Sequence, residues 1–153
     1  MGIRVIVKNE DAVRRKLAEL RRRVSDFRPV WRSVRAYLYR MEQEQFASQG
    51  GRGGAPWKPL SPAYARWKAV KHPGKPILEL SGKLKRAATG SGPEATYNAQ
   101  ALSLSVGIRN KLAAIHHYGA PRARIPARPI YDHTLNDTEQ IAETLVRYIL
   151  NGV

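Results

Sequence analysis

The sequence of 153 residues contains no cysteine. Disulfide bonds, thiolate metal sites and cysteine nucleophiles are therefore excluded together. The sequence also has no apolar run near the roughly 18 residues that a membrane-spanning helix needs. No signal-peptide apolar region follows Met1. We therefore expect a chain that is made in the cytoplasm and does not span a membrane.

Acidic residues are scarce, because 12 Asp and Glu stand against 27 Lys and Arg, giving a formal net charge of +15. Such a charge favours anionic partners, namely nucleic acid, acidic protein surfaces or anionic membrane. The charge is also unevenly spread. Residues 1–40 hold twelve basic and four acidic side chains, whereas residues 131–153 hold four acidic side chains and one arginine. This split suits subunits that meet basic face to acidic face, as well as nucleic-acid binding.

The length and composition predict one globular domain. Hydrophobic residues make up 42% and charged residues 25% of the chain, which are ordinary values for a folded protein. We predict a single α+β domain over residues 1–153. Its sheet is few-stranded and mostly antiparallel, and it packs with two long N-terminal helices and a C-terminal helix. The glycine-rich segment SQGGRGGAP, at about residues 48–56, is predicted to be a flexible loop, and its Gln49–Pro56 part to be mobile in the free protein.

Hydrophobic spacing locates the elements of the N-terminal half. The stretch IRVIVK at Ile3–Lys8 has the alternation of a strand. An amphipathic helix with a very basic outer surface follows, since apolar residues recur at helical spacing. That apolar stripe consists of Val13, Leu17, Leu20 and Val24. Pro29 suits the first turn of a second helix, and further helices are predicted to start at Ser61-Pro62 and near Ser81-Gly82.

The C-terminal half alternates between strand and helix signals. Strand character runs through Thr96–Ile108. A short helix over Lys111–Tyr118 is expected to end at Gly119, a natural C-terminal cap. The prolines that follow predict an extended segment up to Tyr131. The last helix is predicted at about residues 135–150, with an inward stripe of Leu135, Ile141, Leu145 and Ile149.

His116 and His117 form the one histidine pair in the sequence. Adjacent helical residues diverge by about 100°, so two such side chains do not readily hold one metal ion. Structural zinc also needs three or four ligands, and no serine or carboxylate cluster completes a nucleophile–base arrangement. We expect no metal, no cofactor and no enzymatic activity, with one histidine packed inside and the other partly exposed.

Basic and aromatic side chains are the remaining candidates for function. The basic helix face could contact phosphates or the acids of a neighbouring subunit, and no helix-turn-helix or zinc motif accompanies it. Aromatic residues are common at the centres of interfaces, and arginines between prolines sit on a stiff backbone. The candidate interface residues are Arg14, Arg21, Arg22, Arg23, Trp57, Tyr118, Arg122, Arg124 and Arg128.

Five short motifs follow one another in a recognisable order between Phe46 and Ile130. They are F-x-x-x-G-G from Phe46, W-x-P-L from Trp57, I-L-x-x-[ST]-G-x-L from Ile77, A-x-I-H-x-x-G from Ala113 and I-P-A-R-P from Ile125. In this order they resemble the virion morphogenesis proteins of tailed bacteriophages, the Mu-type group related to the tail completion protein S family. The chain departs from the family pattern at His117, where Gln is frequent, and at Ile130-Tyr131, where Phe-Leu is frequent.

The resemblance implies a non-enzymatic structural protein of the head–tail junction or tail end, found in the virion and assembled in the bacterial cytoplasm. It implies a cyclic homo-oligomer, a hexamer or larger, that completes the tail and permits head–tail joining. The implied partners are other neck and tail proteins, such as the tail tube or connector, and DNA passing through the ring without sequence specificity. A tail terminator and a head-side connector both remain open.

Two other classes of function compete with this one. The first is a nucleic-acid-binding accessory protein that uses the basic helix, Arg14 to Arg23. The second is a nuclease centred on His116 and His117, which the sequence supports least. Closed rings would favour the structural phage protein. Salt-sensitive duplex binding by a monomer would favour the nucleic-acid-binding protein. Hydrolysis that is lost on His116→Ala would favour the nuclease.

Overall fold

Helices carry most of the fold in the computed structural model, which describes residues 9–153. The helices are α1 (Glu10–Ser25), α2 (Trp31–Ala47), α3 (Pro62–Lys71), α4 (Lys83–Ala88), α5 (Lys111–Tyr118) and α6 (Leu135–Asn151). The strands are β1 (Ala95–Ala99) and β2 (Leu104–Ile108), and single 3-10 turns lie at Gly51–Gly53 and Pro121–Ala123. The predicted α+β class, with two long N-terminal helices and a C-terminal helix, is confirmed. The strand predicted at Ile3–Lys8 lies outside the described residues.

The first helix has the expected charge pattern but not the expected burial. Glu10 and Asp11 occupy its first turn and Arg22 and Arg23 its last, which complements the helix dipole. The apolar stripe, however, is mostly exposed, and the buried residue of the helix is Arg23. The reason is that α1 contacts α6 at its C-terminal end, where Arg23 binds the Ile149 and Leu150 carbonyls, and every residue from 9 to 18 is left exposed.

The second helix connects the two halves of the hydrophobic core, because it contributes residues to both hydrophobic clusters. Trp31 and Val34, in its first turns, pack with Val30, which precedes the helix, and with Tyr148 of α6. Phe46, at its other end, packs in a second cluster with Trp57, Ala88, Ala113 and Ile130. The rings of Phe46 and Trp57 meet edge to face, with centroids 5.2 Å apart, a favourable aromatic geometry.

The strand signal at Thr96–Ile108 is a hairpin, so the prediction of strand through Leu102 is wrong. Strands β1 and β2 pair antiparallel, with Tyr97 opposite Val106. The chain reverses between them, where the Gln100 N–H donates to the Ser103 carbonyl at 2.8 Å. Leu102 is consequently exposed in the turn.

Helix α5 has the predicted limits. The Asn110 side chain caps its start by accepting from the Leu112 N–H at 2.8 Å. Gly119 follows with φ of 78°, and a Cβ there would lie 2.7 Å from the Ala127 nitrogen. The position therefore needs glycine both for its left-handed backbone and for the close approach of the segment after the turn.

Helix α6 begins with a capping box. Thr134 accepts from the Asp137 N–H, and the Asp137 carboxylate accepts from the Thr134 N–H at 2.7 Å. The helix limits match the prediction, but the inward role given to Leu135 is wrong because that side chain is exposed. The buried position one turn into the helix belongs to Asp137.

The glycine-rich segment is tied to the domain at both ends. The Gly50 N–H donates to the Gln45 carbonyl at 2.9 Å, and the Trp57 N–H donates to the Gln49 carbonyl at 2.7 Å. Gln49 Oε1 also accepts from the Ile77 N–H at 2.7 Å. The mobility predicted for Gln49–Pro56 stays a prediction, and these bonds lead us to expect it between Gly54 and Pro56.

Hydrogen exchange followed by NMR checks this expectation residue by residue. The Ala55 amide should exchange close to the rate of an unstructured peptide, whereas the Gly50 and Trp57 amides should be protected by their hydrogen bonds. Protection of Ala55 equal to that of Trp57 in the isolated monomer would show that the segment is not mobile.

Candidate functional site

The two histidines of α5 are both half-buried, and His117 makes a structural contact. His117 Nδ1 accepts from the Ile130 N–H at 3.1 Å. Burial lowers the pKa of both imidazoles, and the Arg128 guanidinium lowers that of His116 further. His116 Nδ1 is buried and has no hydrogen-bond partner among the described residues. Over residues 9–153 no group of three His, Asp or Glu side chains is placed to hold a metal ion. The geometry thus gives the histidines a packing role.

Arg128 lies inside the fold. Its Nε donates to the Lys58 carbonyl at 2.8 Å and its Nη2 donates to the Pro59 carbonyl at 3.0 Å. Its backbone N–H donates to the His116 carbonyl at 2.7 Å. The side chain therefore joins the segment after the glycine loop to the segment after α5.

Trp57 and Arg23 are buried as well. Trp57 Nε1 donates to the Pro129 carbonyl at 2.7 Å. Arg23 Nη1 donates to the Ile149 and Leu150 carbonyls, at 3.0 and 2.9 Å, and so satisfies two acceptors at the C-terminal end of α6. Arg23 also pairs with Glu19. In the single chain these residues and Arg128 bind intramolecular partners, so a charge reversal that includes Arg23 would disturb the fold as well as a surface.

The other candidate interface residues are exposed, and they come from two segments of the chain. One segment is α1, and the other runs from Tyr118 through the 3-10 turn after α5. The exposed candidates are Arg14, Arg21, Arg22, Tyr118, Arg122 and Arg124. Arg14 pairs with Glu10 one turn earlier in α1, a contact worth about 0.3–0.5 kcal/mol at an exposed site. The interface hypothesis now depends on these residues.

The short sequence motifs meet around one cavity. It has a volume of about 260 Å³, and its walls include Leu60, Leu78, Gly82, His116 and Arg128. These residues belong to four of the five motifs, and the most distant two, Leu60 and Arg128, are 68 residues apart along the chain. The motifs therefore describe a packing arrangement in which loops and short helices close over the second hydrophobic cluster.

A polar network that the sequence analysis missed joins the start of α6 to the glycine loop. The Asp137 carboxylate is fully buried and pairs with Arg52, whose Nη1 donates to Oδ2 at 2.7 Å. The Tyr37 hydroxyl donates to Oδ1 at 2.8 Å, and the Thr134 hydroxyl donates to Oδ2 at 2.7 Å. The pKa of Asp137 is held far below its usual value, chiefly by the bond from Arg52. The spacing Thr-x-x-Asp was the one readable signal, because it is a capping-box pattern.

Glu42 is a second buried acid, and neighbouring polar groups compensate its negative charge only weakly. It lines a cavity of about 250 Å³ with Tyr131 and His133, and its Oε2 has no hydrogen-bond partner among the described residues. Burial raises the pKa of Glu42 to about 8, with Asp132 and Asp137 adding to the rise and Arg52 opposing it. The carboxyl group is thus mostly protonated at neutral pH.

The raised pKa of Glu42 predicts that stability falls as pH rises. Its ordinary pKa is 4.5, so between about 4.5 and 8 the folded chain holds a proton that the unfolded chain has released. Glu42→Gln keeps a neutral side chain. We expect the variant to match the parent chain near pH 5 and to exceed its free energy of unfolding above pH 8, since each pKa unit corresponds to about 1.4 kcal/mol.

Urea unfolding from pH 5 to pH 9, at one fixed protein concentration, measures this effect. Asp11→Asn is a suitable control because Asp11 is exposed in the first turn of α1. A parent chain whose stability does not fall over this range, or a Glu42→Gln variant that falls as steeply as the parent, would contradict the assignment.

Comparison with known proteins identifies the family. The model of the phage virion morphogenesis family matches residues 8–150, nearly the whole chain. No curated protein and no solved structure matches the chain. Within the described part of the chain, no helix combines the length and apolar character needed to cross a membrane. The resemblance drawn from the short motifs is confirmed, and the chain belongs to the phage virion morphogenesis family.

Proposed function

As a member of the phage virion morphogenesis family, this chain is, we propose, a ring-forming structural protein that completes the tail and permits head–tail joining. The family supports a structural or assembly role in the phage. The observation that carries the more specific proposal is the exposure of α1. Residues 9–18 are all exposed, although Val13 and Leu17 belong to the apolar stripe of the helix. An amphipathic helix whose apolar stripe is left exposed by the rest of residues 9–153 favours contact with a partner.

The charge distribution supports a ring of identical subunits. The exposed face of α1 is strongly basic, whereas the outer face of α6 carries Glu139 and Glu143. Two different surfaces of opposite charge on one chain favour head-to-tail contacts, which close into rings when the rotation between copies allows it. We expect a hexamer or a larger ring, with tail or connector proteins on its faces and DNA passing through without sequence-specific contacts.

Loss of the protein from the phage tests this function. A stop codon early in the reading frame should give DNA-filled heads and tails that fail to join, as seen by electron microscopy of the lysate. Tails of irregular length would place the protein at the tail end as a terminator, whereas normal tails with leaking heads would place it on the head side. Infectious particles of normal appearance would overturn the proposal.

Nucleic-acid binding is the second candidate function. Arg21 and Arg22 are exposed, and neither makes an ion pair among the described residues, so both are available to phosphates. A monomer that binds duplex DNA should lose affinity with a log–log salt slope of about −0.9 per phosphate contact. Tight binding by the monomer, together with normal phage assembly in the stop-codon mutant, would favour this function over the structural one.

A further inference from the structure

The apolar stripe of α1 continues along the length of the helix and stays open to solvent. Val13, Leu17 and Val24 follow the i, i+4, i+11 spacing of one helix face, and their exposed fractions are 47%, 60% and 44%. At 100° per residue, Arg14 and Arg21 lie beside these residues on the same side of the helix. We call Val13, Leu17, Val24, Arg14 and Arg21 the basic stripe.

Helix α6 carries a comparable stripe on its outer face. Leu135, Val146 and Leu150 are 85%, 52% and 54% exposed. Their spacing of i, i+11 and i+15 keeps them on one side of the helix, together with the exposed residues Ala142, Glu139 and Glu143, and Arg147 is exposed at the edge of this side, one turn beyond Glu143. We call Leu135, Glu139, Ala142, Glu143, Val146 and Leu150 the acidic stripe.

Within residues 9–153, the acidic stripe lies outside the hydrophobic cluster against which α6 packs. The inner face of α6 packs through Tyr148, Ile141 and Leu145 against the cluster around Trp31. Helix α1 of the same chain reaches α6 at its C-terminal end, where Arg23 binds the Ile149 and Leu150 carbonyls. Both stripes are therefore available in a folded subunit at the same time.

Charge decides how the two stripes combine. Two basic stripes placed together would bring arginines against arginines, offset in part by Glu10, which pairs with Arg14. Two acidic stripes would bring glutamates against glutamates, offset in part by Arg147 at the edge of that face. The net repulsion disfavours both arrangements. The pairing of a basic stripe with an acidic stripe joins apolar residues to apolar residues and arginines to glutamates. The helices are also matched in length, since 16 and 17 residues correspond to about 24–26 Å.

We propose that the basic stripe of α1 in one copy packs against the acidic stripe of α6 in a second copy. The proposal rests on the proposed ring function and names its subunit contact. In the ring the contact is heterologous: each subunit gives its basic stripe to one neighbour and its acidic stripe to the other, and the series closes when the rotation between copies allows it. The apolar residues supply the buried surface, and the arginine–glutamate pairs set the direction and register of the two helices.

A charge-swap experiment tests the pairing. The variant Arg14→Glu/Arg21→Glu reverses the basic stripe, and Glu139→Lys/Glu143→Lys reverses the acidic stripe. Each is expected to raise the protein concentration needed for assembly by at least about tenfold, as measured by native mass spectrometry. The chain carrying all four substitutions should assemble again, because opposite charges face each other once more.

A matched control comes from helix α3. Arg66 and Lys71 of α3 are exposed and belong to neither stripe, so Arg66→Glu/Lys71→Glu makes the same change in net charge. It is expected to assemble like the parent chain. Circular dichroism and thermal unfolding of every variant establish that the subunits are folded.

The outcomes separate this contact from the ring itself. A parent chain that forms rings unaffected by either reversal would overturn the contact and leave the proposed function standing. If only the reversal of the basic stripe weakened assembly, and the variant with all four substitutions did not restore it, α1 would bind another partner and the contact would be overturned. An equal loss in the Arg66/Lys71 control would attribute the effect to net charge and would overturn the contact. A parent chain that is monomeric at every concentration would overturn both the contact and the proposed ring.

Discussion

Replacing Asp137 by asparagine is expected to lower the free energy of unfolding by about 3–5 kcal/mol at neutral pH, because it removes one partner of a buried ion pair. The carboxylate accepts hydrogen bonds from Arg52, Tyr37 and Thr134. Asparagine retains one acceptor oxygen and places an amide against the Arg52 guanidinium. The change therefore weakens the helix cap and leaves the mostly buried Arg52 guanidinium with the exposed Glu44 as its remaining counter-ion.

The pH dependence gives the same prediction a second readout. The fold lowers the pKa of Asp137 from its ordinary value of 3.8, so in acid the unfolded chain binds a proton that the folded chain does not. The stabilisation is complete above about pH 4 and is lost as pH falls below the unfolded value. Urea unfolding at pH 7 and pH 3 should show a smaller acid-induced loss in Asp137→Asn than in the parent chain.

A double-mutant cycle with Arg52 isolates the pair from the cap. We expect Arg52→Gln and Asp137→Asn together to cost clearly less than the sum of the two single changes, because each single variant leaves the other side chain without its buried partner. Thr134→Val removes the capping hydroxyl without touching Arg52, and it should cost about 1 kcal/mol. An Asp137→Asn variant within about 1 kcal/mol of the parent chain would show that the network does not hold α6.

Replacing Arg128 by lysine is the second large effect, with an expected loss of about 2–4 kcal/mol. The planar guanidinium bonds two successive carbonyls, those of Lys58 and Pro59, and one ammonium group does not reproduce that fork. A buried carbonyl without its donor costs about 1–3 kcal/mol. Denaturant unfolding of Arg128→Lys measures the loss, and the exposed Arg122 provides Arg122→Lys as a control, which should stay within about 0.5 kcal/mol of the parent chain.

This prediction separates a structural role for Arg128 from the interface role expected from the sequence. If Arg128 holds the fold, Arg128→Lys should destabilise the monomer, and any loss of assembly should follow from that. If Arg128 instead binds a neighbouring subunit, monomer stability should be unchanged and only assembly should fail. The second outcome would contradict the burial of the side chain and its bonds to Lys58 and Pro59.

Local signals in the sequence predicted the elements well and the burial poorly. Gly119 ends α5 as expected, because the left-handed cap is a property of one residue and its neighbours. The limits of α6 likewise followed from a local hydrophobic pattern. The hairpin turn between β1 and β2 was missed because Gln100–Ser103 contains none of the glycine, proline or asparagine residues that usually signal a reversal.

The candidate interface residues show why burial could not be read in the same way. The carbonyls that bind Arg23, Trp57 and Arg128 lie between 69 and 127 residues away along the chain. Tertiary packing brings these carbonyls next to the three side chains, and no local sequence pattern encodes that packing. The exposure of the apolar residues of α1 was missed for a different reason. An amphipathic pattern indicates that one face of a helix packs against a partner, but it does not indicate whether that partner lies in the same chain.

The size and shape of the purified chain in solution test the central claim most directly. Native mass spectrometry and negative-stain imaging of the full chain at moderate salt should show closed rings of six or more copies that persist on dilution into the micromolar range. A monomer at every concentration, without rings in the images, would contradict the account of this family member as a ring-forming subunit of the phage head–tail junction or tail end.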